Sequence, residues 1–283
     1  MLIFHSIKEI KQQIQQYKSK GLKIGLVPTM GFLHKAHETL IKKCKADSDV
    51  TVVSVFVNPT QFSANEDLDK YPRDIERDEK ILKSHNVDIL FYPTNDVMYP
   101  KNYNTFVTVN DLSTRLCGKT RPTHFQGVAT IVLKLFHIIN PDVAVFGLKD
   151  FQQVIIIKQM VRDLNLDVQI IEAPIIREPD GLAMSSRNAY LNSNQKQQAR
   201  CLNQALLLAK DLFQKGERNC RILIKKVSER IKQESEIKID YIEIVNLNNL
   251  HKLEMIQENA LLALAVFIGK TRLIDNIILE NGV

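Results

Sequence analysis

Short β-branched runs alternate with longer, partly charged stretches through the first two-thirds of the chain. The β-branched runs predict strands at 22–27, 51–57, 88–93, 142–147 and 167–175. The stretches between them predict helices at 35–47, 73–85, 127–140 and 150–165. Strands that alternate with helices of this length are typical of parallel βαβ units. The pattern therefore predicts an α/β fold with a Rossmann-like parallel sheet.

The pattern changes near residue 188. Helices are predicted at about 194–214 and 219–233, and strands at 237–246, 260–268 and 271–279, the last two joined by a tight turn. Helices followed by strands indicate a separate α+β region rather than further βαβ units. We therefore expect a Rossmann-like domain at 1–187 and a smaller α+β C-terminal domain at 188–283.

Three polar segments follow predicted strands of the larger domain. They are VPTMG at 27–31, FVNPTQF at 56–62 and VFGLKD at 145–150. Because open α/β sheets bind ligands beyond the carboxyl ends of their strands, we expect these three loops to converge on one crevice.

The positive charge of the chain is spread evenly. The 283 residues are 45% hydrophobic, which is enough for a large core, and they carry a formal net charge of +6. Residues 188–283 contain 14 Lys and Arg against 11 Asp and Glu, and the remainder contains 24 against 21. The sequence has no basic block or aromatic–basic alternation of the kind that binds nucleic acid. A local site for a small polyanion is favoured over a nucleic-acid partner.

The cysteines and the apolar runs bear on location. Four cysteines without C-x-x-C spacing are too few for a disulfide framework, so buried free thiols in a reducing compartment are expected. The N-terminal segment does not have the pattern of a signal peptide. The longest apolar run, 260–268, is far shorter than the ~18 residues that a membrane helix needs. We expect a cytoplasmic protein without a membrane partner.

His34 and His37 lie three residues apart, directly after the Pro-Thr-Met-Gly turn at 28–31. At a helix start this spacing places both side chains on one face, where unpaired N–H groups and the helix dipole favour an anion. Imidazoles add donors that can follow a shifting phosphate charge. The alternative is a pair of surface or capping histidines. A metal site is disfavoured because no third ligand is suitably spaced.

Lys149 and the segment MSSRN at 184–188 supply complementary donors. Lys149 follows a predicted strand, and the segment offers two hydroxyls, a guanidinium and backbone N–H groups in a row. Each feature alone is also typical of a solvated loop. Together with the histidine pair they predict a triphosphate-binding site.

Gln61 and Gln153 are candidates for an acid-binding pocket. Neutral amides orient a carboxylate that must attack, whereas a cation would hold that carboxylate in its ground state. The alternative is a structural role for each glutamine. Met30, Phe62 and Val128 are candidates for the apolar wall of the pocket. The sequence has no Walker P-loop and no G-x-G-x-x-G fingerprint, which argues against those two nucleotide sites.

Five linked motifs resemble the pantoate–β-alanine ligases (pantothenate synthetases), a family within the nucleotidyltransferase superfamily that carries the HIGH signature. The motifs are PTMGFLHKAH, FVNPTQF, RPTHFQGVATIV, FGLKDFQQ and DGLAMSSRNAYL, in the family's order over residues 28–191. The YPRD segment at 71–74 also fits, and the tail resembles the family's small C-terminal domain.

The resemblance implies roles for individual residues. It implies catalytic roles for His37, His34, Lys149 and Arg187, with His37 as the proton donor, and pantoate binding by Gln61 and Gln153. The residues implied to bind ATP are Met30, Gly31, Phe32, Leu33, His34, Lys35, Ala36, His37, Gly147, Leu148, Lys149, Asp150, Ile176, Met184, Ser185, Ser186 and Arg187. Ala36 departs from the signature, which normally has glycine there. The added methyl group is expected to affect ATP affinity rather than the activity.

The resemblance also implies the reaction. The pantoate carboxylate attacks the α-phosphorus of ATP, giving pantoyl adenylate and pyrophosphate, and the amine of β-alanine then displaces AMP. Mg²⁺ would accompany the triphosphate without a metal site of the protein's own, and the protein would be a homodimer. Arg121 and His124 are candidates for the β-alanine pocket, and residues 63–74 are a candidate flap or an ordinary surface loop.

Two other functions fit parts of the pattern. A nucleotidyltransferase that moves AMP onto a phosphate ester would share the histidines and the Ser-Ser-Arg segment, but it would require more cations near the glutamines. A non-catalytic RNA-binding module related to tRNA synthetases is disfavoured by the even charge distribution.

Overall fold

The computed structural model describes residues 1–63 and 66–280. The chain divides into two compact units. The first unit comprises Met1–Ser113, Arg121–Leu148 and Gln153–Pro174, and the second comprises Thr114–Thr120, Lys149–Gln152 and Ile175–Val283. The domain boundary between residues 187 and 188 stays a prediction.

The strands and helices of the described residues follow in chain order. The strands are β1 (Leu2–Phe4), β2 (Ile24–Thr29), β3 (Val50–Val55), β4 (Ile89–Phe91), β5 (Val143–Gly147), β6 (Gln169–Ala173), β7 (Ile237–Asn246), β8 (Ala260–Ile268) and β9 (Thr271–Leu279). The helices are α1 (Ile7–Lys18), α2 (Lys35–Ala46), α3 (Ile75–Ser84), α4 (Asn95–Met98), α5 (Cys117–Thr120), α6 (His124–Ile139), α7 (Phe151–Asp163), α8 (Ser193–Ala199), α9 (Cys201–Gln214) and α10 (Cys220–Ile231).

Six strands form a parallel sheet in the first unit, in the order β1-β4-β3-β2-β5-β6. The predicted Rossmann-like parallel sheet is confirmed. The chain runs outward from β2 through β3 to β4, and then resumes on the other side of β2 with β5 and β6. The carboxyl ends of β2 and β5 therefore flank a topological switch point, where open α/β sheets bind ligands.

Helices cover the centre of this sheet. Val27, Val53 and Val145 pack with Ile41 of α2 and Leu82 of α3 in one buried cluster. Every residue of β3 is buried, so both faces of the sheet are covered there. This is why the central strands are continuous β-branched runs rather than alternating ones.

Strands β7, β8 and β9 form an antiparallel sheet in the second unit. Their bounds agree with the three predicted runs at 237–246, 260–268 and 271–279. Phe213 of α9 and Leu223 of α10 pack with Leu262 of β8 in the core of this unit. The predicted α+β organisation of the C-terminal region is confirmed.

The helix predicted at 194–214 is in fact two helices, α8 and α9, which meet at Arg200. Arg200 keeps right-handed dihedrals, with φ −58° and ψ −26°. Its N–H donates to the carbonyl of Gln197 at 3.4 Å, three residues back instead of four. This 3₁₀-type bond tightens the turn and interrupts the α-helical ladder.

All four cysteines are buried free thiols, as expected from the sequence. Burial raises the pKa of Cys44 and Cys220 to about 11 and that of Cys201 to about 12. These three side chains therefore remain protonated and behave as small apolar groups. Within the described residues, no helix combines the length and the hydropathy that crossing a membrane would require.

Candidate active site

The turn between β2 and α2 carries the histidine pair. Gly31 has a φ of +81°, and a Cβ at this position would lie 3.0 Å from both Asp78 Oδ2 and Val55 Cγ1. The left-handed backbone and the close neighbours both require glycine here. The Gly31 N–H donates to Thr29 Oγ1 at 3.1 Å, and that hydroxyl donates to the carbonyl of Ser54 in β3. The turn is thereby tied to the end of the adjacent strand.

Asp78 of α3 holds the next residues of this turn. Its carboxylate accepts the N–H groups of Phe32 at 2.8 Å and of Leu33 at 2.7 Å. The Asp78 side chain is buried, and burial raises the pKa of its carboxyl above the ordinary value, although the two N–H groups oppose that shift. The Arg77 guanidinium lies 4.8 Å from the centroid of the Phe32 ring. A buried acid from another helix therefore fixes the backbone that leads into α2.

His34 is the N-cap residue of α2, and His37 lies in its first turn. The N–H of His34 donates to Nδ1 of His37 at 3.3 Å, and the two ring centroids are 4.1 Å apart. The two imidazoles share a face, as predicted. Because Nδ1 of His37 accepts a hydrogen bond, the neutral ring carries its proton on Nε2. Capping thus fixes the tautomer and places an Nε2–H donor at a helix N-terminus that favours anions.

The loop after β3 presents Gln61 at the end of a 3₁₀ turn. Nδ2 of Asn58 donates to Oε1 of Gln61 at 3.1 Å and to the carbonyl of Gly127 at 3.1 Å. Nε2 of Gln61 faces the Met30 sulfur at 2.9 Å. A thioether is a weak acceptor, so this amide can readily donate to a stronger acceptor beside Met30.

Helix α6 lies close against this loop because of Gly127. A Cβ on Gly127 would lie 2.4 Å from the carbonyl oxygen of Thr60, far inside contact distance. The glycine therefore lets the helix reach the backbone of the loop. Of the candidates for an apolar wall, Val128 is buried in α6, and the Phe62 ring contacts Tyr71 edge-on at 5.8 Å between centroids.

Arg121 and His124 lie beside the same loop. Both contact the carbonyl oxygen of Gln61, through Arg121 Nη2 at 3.2 Å and His124 Nδ1 at 2.9 Å. Arg121 also forms a two-point ion pair with Glu66, at 2.8 and 2.5 Å. Ala64 and Asn65, within the candidate flap at 63–74, lie outside the described residues. The β-alanine and flap assignments stay predictions.

In the second unit, strand β9 anchors the segments that carry Lys149 and the Ser-Ser-Arg sequence. Nδ2 of Asn276 donates to the carbonyl of Lys149 at 3.0 Å. Asp275 pairs with both terminal nitrogens of Arg177, at 2.7 and 3.0 Å. Arg177 also donates to the carbonyl of Gly181 at 3.1 Å, which closes the hairpin before the Ser-Ser-Arg segment.

The Ser-Ser-Arg segment begins where this hairpin ends. The N–H of Met184 donates to the carbonyl of Ile176 at 2.9 Å. Ser185 is the N-cap of a 3₁₀ turn, and its hydroxyl accepts the N–H of Arg187 at 3.3 Å. Lys149 and Ser185 line one small cavity. The second unit therefore brings together two of the segments that the sequence assigned to a triphosphate.

The two glutamines that follow Phe151 have different surroundings. Gln152 is buried, and its amide accepts the N–H of Cys117 at 3.0 Å and donates to the carbonyl of Arg115 at 2.7 Å. These bonds give Gln152 a structural role. Gln153 belongs to the first unit and is partly buried, and it stays the predicted pantoate-binding residue of the two.

The other predicted ATP-binding residues lie at the ends of elements. Gly147 ends β5, Leu148 and Asp150 lie in a 3₁₀ turn, and Lys35 and Ala36 begin α2. Ser186 is buried in the turn after Ser185. Across residues 1–63 and 66–280, no three His, Cys, Asp or Glu side chains are grouped as metal ligands.

A known protein family matches almost the whole chain. The model of the family described as pantoate-beta-alanine ligase matches residues 2–278. The chain belongs to the pantoate–β-alanine ligase family. This confirms the resemblance carried by the five motifs and makes the protein a ligase.

Individual pantothenate synthetases are similar over their full length. Those of Caldicellulosiruptor saccharolyticus and Enterococcus faecalis are 52% and 49% identical over 280 residues, or 99% of this chain and 100% and 99% of theirs. The crystal structure of the Thermus thermophilus enzyme has a TM-score of 0.95 at 37% identity, covering 99% of this chain and 100% of its own. The Francisella tularensis pantoate-beta-alanine ligase, complexed with "Beta-gamma ATP" and β-alanine, has a TM-score of 0.82 at 38% identity, covering 100% and 99%.

Sequence reasoning missed two residues that shape this ligase site. Asn58 lies within the FVNPTQF motif, and its position beside Gln61 was the available signal. Asp78 lies in a helix crowded with charged residues, and nothing in the sequence marks it as the buried one.

We predict that Asp78→Ala destabilises the protein. The substitution leaves the N–H groups of Phe32 and Leu33 without their acceptor in a buried turn, which costs about 2–4 kcal/mol. Urea unfolding measures the loss. Glu76→Ala, an exposed residue of the same helix, is the matched control and should stay within about 0.5 kcal/mol of the parent. Equal stability of the two variants would contradict the role of Asp78.

Proposed function

We propose that the protein condenses pantoate with β-alanine to pantothenate in two steps. Pantoate and ATP first give pantoyl adenylate and pyrophosphate, and β-alanine then displaces AMP. The observation that carries the proposal is a helix N-terminus with two adjacent imidazoles, tilted at 41° with centroids 4.1 Å apart, preceded by Met30, which contacts the amide of Gln61. Family membership and the relative complexed with ATP and β-alanine support the substrates.

The histidine pair would stabilise the charge that builds on the phosphate oxygens. The pairing of the His34 N–H with His37 Nδ1 makes Nε2 the nitrogen through which this ring would donate to a phosphate. Donors fixed before the reaction stabilise a developing charge without having to reorganise during it. Adenylation needs no covalent enzyme intermediate, so alignment and fixed donors account for the catalysis.

Lys149, Ser185, Ser186 and Arg187 would bind the triphosphate of ATP. The carbonyl of Lys149 is fixed by Asn276, which leaves its ammonium group at the end of a flexible stem. This ammonium lies 4.0 Å from the carboxylate of Asp150, a weak and partly exposed pair. An incoming phosphate competes easily with such a pair.

Gln61 would bind pantoate through its amide. Because Oε1 accepts from Asn58, the donor end of the amide is turned toward Met30 and is available to an acid. A neutral donor orients the carboxylate without reducing its nucleophilicity as much as a cation would. Gln153 is assigned to the same substrate by resemblance.

The remaining assignments rest on the sequence and on the family. Mg²⁺ would enter with the nucleotide and neutralise phosphate charge. The methyl group of Ala36, at the start of α2, would weaken ATP binding slightly. A homodimer and a cytoplasmic location also stay proposals.

The two-step reaction is tested by isotope exchange. We expect labelled pyrophosphate to enter ATP when pantoate is present and β-alanine is absent, because the first step is reversible without the amine. A nucleotidyltransferase acting on a phosphate ester or an RNA-binding module would show no exchange with pantoate. Absence of exchange from a folded, ATP-binding protein would refute the adenylate.

Lys149→Ala is predicted to lower the rate of this exchange by roughly 10²–10³, the loss typical of one preorganised donor. Lys196→Ala removes an exposed lysine of the second unit and serves as the control, with an unchanged rate. If Lys149→Ala stays within about twofold of the parent, Lys149 does not contact the reacting phosphates.

Gln61→Ala is predicted to weaken pantoate binding much more than ATP binding. The reason is that the amide contacts only the acid in this proposal. Separate calorimetric titrations with pantoate and with ATP measure the two affinities. Equal weakening of both ligands would assign Gln61 a structural role instead.

A further inference from the structure

We propose that Tyr99 is a positioning residue for the acid-binding pocket, and that its hydroxyl fixes the orientation of the Gln61 amide through Asn58. The inference rests on the proposed role of Gln61 in binding pantoate. Tyr99 follows the short helix α4, 38 positions after Gln61, and none of the sequence motifs includes it.

The first link joins Tyr99 to Asn58. The Tyr99 hydroxyl donates to Oδ1 of Asn58 at 2.7 Å, and the Thr60 hydroxyl donates to the same oxygen at 3.0 Å. An amide oxygen has two acceptor positions, so the two hydroxyls saturate it. The Asn58 side chain is 1% exposed, and water does not provide a substitute donor.

The second link joins Asn58 to Gln61. With its oxygen held by two hydroxyls, Asn58 directs its two N–H donors to Oε1 of Gln61 and to the carbonyl of Gly127. Both of these groups are acceptors. A flipped Asn58 amide would place its oxygen against these two acceptor oxygens. The two hydroxyl donors and the two acceptors therefore enforce the same orientation of the amide.

The orientation of Asn58 determines the direction in which the donor end of the Gln61 amide faces. Since Oε1 is held by Asn58, Nε2 must face the opposite way, where it contacts the Met30 sulfur. If Asn58 loosens, the Gln61 amide can rotate and present its oxygen to the substrate. An oxygen in that position would repel a carboxylate.

Tyr99 is itself held rigidly. The Tyr103 ring contacts it edge-on at 5.0 Å between centroids, and Nζ of Lys134 lies 5.3 Å from the Tyr99 ring and 4.3 Å from the Tyr103 ring. Burial raises the pKa of Tyr99 to about 12, so its hydroxyl keeps the proton that it donates. A rigid, protonated phenol is suited to fixing an amide.

The test compares Tyr99→Phe with Tyr103→Phe. Tyr99→Phe keeps the ring and removes the donor, and we expect pantoate to bind roughly three- to tenfold more weakly while ATP affinity stays unchanged. Tyr103→Phe removes a hydroxyl from the same aromatic cluster, but this hydroxyl is outside the chain of hydrogen bonds to Gln61. We expect no change in the affinity for pantoate or for ATP. Calorimetric titrations with pantoate and with ATP measure both affinities. Unchanged pantoate affinity in Tyr99→Phe, or equal weakening in both variants, would overturn the inference.

A double-mutant cycle separates this inference from the proposed function. If Tyr99 acts through Gln61, Tyr99→Phe has no further effect on pantoate binding in a Gln61→Ala background. A full additional loss there would overturn the inference alone. If Gln61→Ala by itself leaves pantoate binding unchanged, the acid pocket of the proposed function fails, and the inference fails with it.

A second pair of variants covers the case in which Tyr99→Phe does not fold. Thr60→Val removes the other hydroxyl donor to Asn58, whereas Thr60→Ser retains it. We expect weaker pantoate binding only in Thr60→Val, with ATP affinity unchanged in both. Equal pantoate affinity in the two variants would show that saturation of the Asn58 oxygen does not control the pocket.

Discussion

The candidate site depends on one buried carboxylate. Asp78 accepts two consecutive N–H groups of the turn after β2, and Gly31 makes room for it by having no side chain. Burying a carboxylate is unfavourable unless it is hydrogen-bonded, and this turn provides those bonds. The N–H groups of the turn therefore stabilise the buried carboxylate, and the carboxylate fixes the backbone of the turn. The positions of both histidines depend on this turn, because His34 caps the helix that the turn leads into.

The proposed reaction assigns different chemistry to the residues of the two units. The first unit carries two imidazoles and a chain of amides, which in the proposal orient a nucleophile and stabilise charge without binding the acid too tightly. The second unit provides Lys149 and Arg187, which suit the higher charge of a triphosphate. Strand β9 organises that second set. Its Asp275–Arg177 pair and its Asn276 contact use partly buried hydrogen bonds to fix two segments that are distant in sequence.

Several polar side chains serve the site without touching a substrate in the proposed mechanism. Every donor and acceptor position of the Asn58 amide is taken by a group of the protein, and the Gln152 amide bonds to the backbone of Cys117 and of Arg115. Such amides set the direction of their neighbours, because donors and acceptors are not interchangeable. The Gln61 amide differs from these, because its Nε2 donates to the Met30 sulfur, which is only a weak acceptor.

The sheet, most of its elements and the candidate segments could be predicted from the sequence. Buried β-branched runs, helical periodicity and five ordered motifs are local signals, and each lies within a few residues of what it specifies. Three-residue β1 is too short to give a pattern, and the turn at Arg200 left no mark in it, whereas Ile7, Ile10 and Ile14 of α1 have helical spacing and this helix was missed. Asp78, Tyr99 and Asn276 could not be assigned from the sequence, because their partners lie 46, 41 and 127 positions away. Many similar polar residues could be buried against a given backbone segment, and the packing of the strands and helices selects one of them.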